Sequence, residues 1–218
     1  MSKQITIIGV LAVLIVISGC NMVGQQKTYS PKESKLPATE RYILTPKAPT
    51  EPRINGAKVF GVRPGSSFLF TIPATGQRPL VFAADNLPQG LTIDSSTGLI
   101  TGTLTTPRTY NVTLKAQNAR GIATREFKII GGDKIALTPP MGWNSWNCWA
   151  ANVSDKNVRA SAQAMIDSGL VNHGWTYINI DDTWQGKRSV EFNAIQGNQK
   201  FLDMKGLCDY VHSLVLKV

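Results

Sequence analysis

Hydrophobic and polar positions divide the chain into four stretches of different rhythm. Ile5–Ile17 is an unbroken uncharged apolar run behind one basic residue, Lys3. Residues 20–55 are polar, aperiodic and rich in proline, with Pro31, Pro37, Pro46, Pro49 and Pro52. Such a stretch cannot bury enough apolar surface to offset its ordering entropy, so a flexible tether is expected. Between residues 56 and 133 short runs alternate, and Ser67–Ile72, Leu80–Ala84, Leu99–Leu104, Tyr110–Ala116 and Ile122–Ile130 each read as a strand. Turn clusters such as Pro73–Gly76, Asn86–Gly90 and Ser95–Gly98 separate them. Tyr110, Val112 and Leu114 interleave with Asn111, Thr113 and Lys115, which gives one buried and one wet face. Strands at this spacing predict a small β-sandwich.

Beyond residue 134 the period lengthens. A helix is expected over Ser154–Ser168, with Ser154 as N-cap, Val158, Ala162, Met165 and Ile166 as its apolar stripe, and Gly169 as its stop. Tyr177–Ile180 reads as a buried strand, Gln185–Lys200 as a polar loop, and Met204–Leu214 as a second helix facing inward through Leu207, Tyr210, Val211 and Leu214. Leu216-Lys217-Val218 reads as the opening of a third strand. Strands alternating with helices predict a parallel α/β fold.

The apolar run at the front is short. Its thirteen residues would span about 20 Å as a helix, against roughly 30 Å for a bilayer core. It therefore fits the h-region of a signal peptide over residues 1–19. Ile17-Ser18-Gly19-Cys20 resembles a bacterial lipobox, which implies lipidation of Cys20, a membrane partner, and anchoring to the cell envelope. Asn21 and Met22 leave the periplasmic and outer-membrane faces both open.

Composition narrows the remainder. Of 218 residues 42% are apolar and 17% charged, which is globular usage. Lys and Arg number 23 against 14 acids, for a net charge of +9, and the excess lies before residue 134. No basic run interleaves with aromatics, so nucleic acid is not an expected partner. With Cys20 lipidated, Cys148 and Cys208 remain as two well-separated thiols, expected to be free and buried.

The chemistry signal is concentrated at the end. All five tryptophans, Trp143, Trp146, Trp149, Trp175 and Trp184, fall after residue 134. The first three could not all point the same way along one strand, so some should reach a surface, where a flat indole suits the C–H face of a sugar. Asp181 and Asp182 follow an apolar strand, at the end of which ligands bind in parallel α/β folds. Paired carboxylates there can accept charge-assisted hydrogen bonds from two hydroxyls. The same pair could cap a helix or begin a metal site. No third or fourth ligand is spaced to complete the latter, so neither metal nor cofactor is expected.

Two resemblances sharpen this reading. Leu87-Pro88-Gln89-Gly90-Leu91-Thr92-Ile93-Asp94 and Thr97-Gly98-Leu99-Ile100-Thr101-Gly102-Thr103 resemble the Ig-like modules of bacterial surface proteins, with Leu91, Ile93 and Ile100 facing the core. Arg108 stands where glycine is usual. The resemblance implies a spacer or a sugar-binding module over residues 56–133.

Leu137-Thr138-Pro139-Pro140-Met141-Gly142-Trp143-Asn144-Ser145-Trp146-Asn147 resembles the first barrel strand of glycoside hydrolase family 27, the α-galactosidases. Gly174-Trp175-Thr176-Tyr177-Ile178-Asn179-Ile180-Asp181-Asp182-Thr183-Trp184 is similar to the second, and Asp209-Tyr210-Val211-His212-Ser213 to the helix leading into the third. Residues 134–218 would then be the first two to three strands of a truncated (β/α)8 barrel, a fold that needs about 250 residues. The resemblance implies an α-galactoside substrate, with Trp146 packed against the sugar and Asp181 and Asp182 holding hydroxyls around C4 and C6. Trp143 and Trp184 would pack near the site, and His173 and His212 would be structural. It places the nucleophile and acid/base Asp on the fourth and sixth strands, which these residues do not include. Sibling specificities toward α-N-acetylgalactosaminides or β-L-arabinopyranosides stay open. Thr183 replaces a Cys that often bridges to the first loop, Leu202 a common Pro, and Val215 a Gly that ends the helix. The competing reading is a non-catalytic envelope lipoprotein whose Ig-like module is the working part.

Overall fold

A computed structural model describes residues 48–218. The expected signal peptide, the expected lipidation site at Cys20 and most of the expected tether lie outside the described residues.

Nine strands build the first part: β1 (Arg53–Ile54), β2 (Val59–Val62), β3 (Ser67–Thr71), β4 (Ala74–Thr75), β5 (Val81–Asp85), β6 (Leu91–Ile93), β7 (Leu99–Thr103), β8 (Thr109–Asn118) and β9 (Gly121–Gly131). A four-stranded sheet in the order β2-β9-β8-β5 faces a three-stranded sheet, β3-β7-β6, and β1 pairs with β4. Only the β2–β9 pair is parallel within the four-stranded sheet. The alternation along β8 works as expected: Val112, Leu114 and Ala116 are buried. They pack with Phe68, Phe70, Ile100, Phe127 and Ile129 in one core. Phe60 meets Phe68 edge-on at 5.2 Å, and Phe70 lies 4.5 Å from Phe127.

All five expected strands form, and four more accompany them. β1 falls inside the stretch expected to be tether, where Arg53 pairs with Thr75 and Ile54 with Ala74. Two-residue strands are too short to show a period. Arg108 takes an ordinary negative φ, and its carbonyl accepts the Gly131 amide at 2.8 Å. The turn therefore forms without the glycine.

The second part runs β10 (Gly142–Asn144), α1 (Trp146–Trp149), a 3₁₀ turn at Ala150–Asn152, α2 (Asp155–Asp167), a 3₁₀ turn at Leu170–His173, β11 (Tyr177–Asn179), β12 (Gln185–Arg188), β13 (Ile195–Gly197) and α3 (Met204–Ser213). β10 and β11 are parallel, with Gly142 opposite Tyr177 and Asn144 opposite Asn179. A Cβ at Gly142 would collide with the Tyr177 carbonyl, so glycine is what allows the strands this close. Lys217 forms a parallel bridge to Tyr177, which starts the third strand. Val158, Ala162 and Met165 of α2 and Leu207 and Val211 of α3 close over Ile178 and Leu216.

Ser154 caps α2 by accepting the Asn157 amide, and Gly169 ends the helix in the left-handed region at φ +73°. Val215 follows α3 at φ +57°, a conformation that is costly for a β-branched residue. The segment expected to be a polar loop contains the β12–β13 hairpin. Cys148 is exposed rather than buried, because α1 is a single turn with no buried residue. Cys208 is half-buried and also free.

The sandwich packs against the N-terminal ends of the parallel strands. Asn55 Nδ2 donates to the Asn172 carbonyl at 2.9 Å, Arg78 to Asn172 Oδ1 at 2.6 Å, and Thr71 Oγ1 to the Val215 carbonyl at 3.3 Å. Gly56 and Gly174 approach so closely that a Cβ on Gly174 would lie 2.8 Å from the Gly56 Cα. The Lys217 ammonium sits 5.2 and 5.4 Å from the Phe60 and Phe70 rings of the sandwich and 5.1 Å from Tyr177.

Candidate functional site

At the opposite, C-terminal ends of β10 and β11 the backbone leaves the ladder. β11 stops at Asn179, so Asp181 and Asp182 lie beyond the pleat, where neighbouring side chains need not diverge. Both carboxylates are solvent-exposed. Asp181 is nevertheless held: its Oδ2 accepts Asn144 Nδ2 at 2.9 Å, and its amide donates to Ser145 Oγ at 2.9 Å. Asp181 Oδ1 also accepts the Asp182 amide at 2.8 Å, and Asp182 Oδ1 accepts the Thr183 amide at 2.7 Å. Each carboxylate keeps lone pairs free toward solvent.

Trp146 opens α1 directly after β10 and is 44% exposed, a large apolar face left in water. Its amide donates to Asn144 Oδ1 at 2.8 Å. The Asn144 side chain thus binds the backbone of Trp146 with its oxygen and the carboxylate of Asp181 with its nitrogen. Ser145, buried beneath, donates its own amide to the Asn179 carbonyl and so extends the parallel pairing. Through Asn144, the backbone of the exposed Trp146 is linked to the Asp181 carboxylate at the strand ends, with Asp182 next in sequence. Chemically, exposed carboxylates can accept hydrogen bonds from hydroxyls, and an exposed indole can cover an apolar ring face.

Trp143 and Trp184 are half-buried and pack on the second core with Ile180. Trp175 sits at the far end, lining a cavity of about 320 Å³ with Phe60, Phe70, Met141 and Lys217. His173 lines the same cavity. His212 lines a neighbouring cavity of about 660 Å³ against β2 and β3. Neither histidine stands with the acid pair. No cluster of three potential metal ligands occurs among the described residues.

Asn144 and Ser145 lay in plain view in the Trp-Asn-Ser-Trp string, without a signal that marked their roles. Their shared partner, Asp181, stands 37 and 36 positions away.

Residues 51–130 match the family model described as "Putative Ig domain", and residues 138–218 the model described as "Alpha galactosidase A". The chain is 48% identical over 88 residues to "Alpha-galactosidase A" of Cellvibrio japonicus, which is 39% of this chain and 22% of that protein. It is 44% identical over 97 residues to an α-galactosidase of Coffea arabica, covering 44% of this chain and 25% of that one. The chain thus spans about a quarter or less of the length of these curated relatives. A crystal structure from Bacteroides fragilis, described as a "putative alpha-galactosidase", superposes with TM-score 0.71 at 40% identity, over 80% of this chain and 38% of its own. Because that match covers most of this chain, the sandwich and the strands beyond it recur in one protein.

Proposed function

Because residues 138–218 match the α-galactosidase family model, we propose that they form the sugar-recognising opening of a glycoside hydrolase family 27 enzyme that removes terminal α-D-galactosyl residues with retention. The observation that carries this is the Trp146–Asn144–Asp181 arrangement at the carboxyl end of parallel strands, inside the matched segment. Trp146 covers the apolar face of galactose. Asp181 and Asp182 accept hydrogen bonds from hydroxyls around C4 and C6, and the axial O4 separates galactose from glucose.

Retaining hydrolysis needs two carboxylates about 5 Å apart, one as nucleophile and one as proton shuttle. The resemblance assigns these to the fourth and sixth strands, so Asp181 and Asp182 bind and do not catalyse. The 218 residues by themselves should be inactive. The test transplants residues 134–218 into the Cellvibrio japonicus relative in place of its matching segment. Release of p-nitrophenol from an α-galactoside is expected, falling about 100-fold or more in Asp181→Asn. An inactive but folded hybrid, or an Asp181→Asn hybrid of unchanged activity, would overturn the proposal.

The lipobox supports lipid anchoring at Cys20 in the cell envelope. Labelled palmitate should enter the wild-type chain and not Cys20→Ser, and equal labelling would refute the anchor.

A further inference from the structure

Two backbone strains flank the acid pair. Thr183, directly after it, has φ +71°, and Ala150, at the end of α1, has φ +43°. A residue with a Cβ is held in that region only where its surroundings over-determine it. One turn, Asn198–Phe201, makes contacts to both loops. Asn198 Nδ2 donates to the Thr183 carbonyl at 2.7 Å, and the Asn198 amide to the Trp184 carbonyl at 2.9 Å. The Lys200 ammonium donates to the Ala151 carbonyl at 2.6 Å and reaches Thr183 Oγ1 at 3.4 Å. The Lys200 carbonyl accepts the Asp155 amide at 3.1 Å, and its own amide donates to Asn198 Oδ1 at 2.9 Å. Phe201, fully buried, seats the turn in the second core.

We propose that Lys200 is a positioning residue for the sugar site: its ammonium ties the Trp146–Asn152 loop to the Asp181–Trp184 loop and so fixes the indole relative to the acid pair. Among the described residues no disulfide does this work, since Cys148 is free and Thr183 carries no thiol. A charged donor suits the task. Its hydrogen bonds to neutral oxygens are stronger than neutral ones, and its long stem spans the gap between loops. What is positioned rests on the galactoside reading, whereas the tie itself rests on the hydrogen bonds alone.

The test uses Lys200→Met, which keeps the stem and removes the donors, and Lys200→Arg, which restores them. In the full chain, amide hydrogen exchange at residues 149–153 and 181–184 should accelerate about tenfold in Lys200→Met and recover in Lys200→Arg, with exchange in α2 unchanged. Acceleration in one loop only, in neither, or throughout α2 and α3 would overturn the tie. In the Cellvibrio japonicus hybrid, Lys200→Met should raise KM for the p-nitrophenyl galactoside about tenfold with little change in kcat. An unchanged KM beside altered exchange would overturn the positioning role. A hybrid inactive even with Lys200 in place would refute the galactoside reading, while the exchange result still decides the tie.

Discussion

The ammonium of Lys217 is pulled in two directions. Burial favours its neutral form and lowers its pKa to about 8, while the rings of Phe60, Phe70 and Tyr177 favour the cation. With the folded value near 8 and the unfolded value near 10.4, the unfolded chain binds more protons between those limits. Stability should therefore rise with pH across that window, by at most about 1.4 kcal/mol per unit. Below pH 8 the penalty is complete. Burial raises the pKa values of Cys208 and Tyr177, which act in the opposite sense at the alkaline end. The quantity to measure is thus the difference between wild type and Lys217→Met in urea unfolding from pH 7 to 9.5. That difference should change with pH; a flat difference would mean that the rings offset the burial. At the other end of the strands, Asn144→Ala removes the bonds to Asp181 and Trp146 from an exposed position. It should cost about 1 kcal/mol or less in unfolding. In the hybrid enzyme it should lower kcat/KM tenfold or more.

Element ends show where strain and capping decide stability. Val215 occupies a left-handed position after α3, so Val215→Gly should relieve about 1 kcal/mol and raise the melting temperature by a few degrees. Loss of the Ser154 cap in Ser154→Ala should cost about 1 kcal/mol. Both are read by thermal melting followed at 222 nm. The two ends of α2 were also the most legible features of the sequence. A capping serine, an apolar stripe and a stopping glycine mark α2 independently, and its observed limits, Asp155–Asp167, differ from the expected ones by one residue at each end. The hairpin β12–β13 was not legible, because most of its residues are exposed and no buried face imposes a two-residue period. The acid pair could be read because its members are adjacent. Asn144 and Lys200 could not, since their partners lie 37 and 49 positions away.

At the scale of the molecule, the sandwich meets the N-terminal ends of the barrel strands, and the acid pair lies at their C-terminal ends. A module so placed supports the strands at the end away from the acid pair. This bears on whether it is a freely swinging spacer. The seam includes the Arg78–Asn172 and Asn55–Asn172 bonds, the Thr71–Val215 bond, the ring-lined seat of Lys217 and the glycine contact between Gly56 and Gly174. The seam bonds reach between residues more than 90 positions apart, so local sequence pattern gives no sign of them. A spacer on a flexible joint would melt apart from its neighbour in two transitions. Packing of this kind couples them, and calorimetry of the full chain should show one transition. Gly174→Ala tests the seam at its tightest point, where the new Cβ would meet the Gly56 backbone at 2.8 Å and the residue already sits at φ +99°. The substitution cannot be absorbed by a flexible side chain, because both partners are backbone. It should separate the single transition into two, with the sandwich retaining its own core and the α/β part melting at the lower temperature. Two transitions in the wild-type chain, or an unaltered single one in Gly174→Ala, would show that the seam does not couple them.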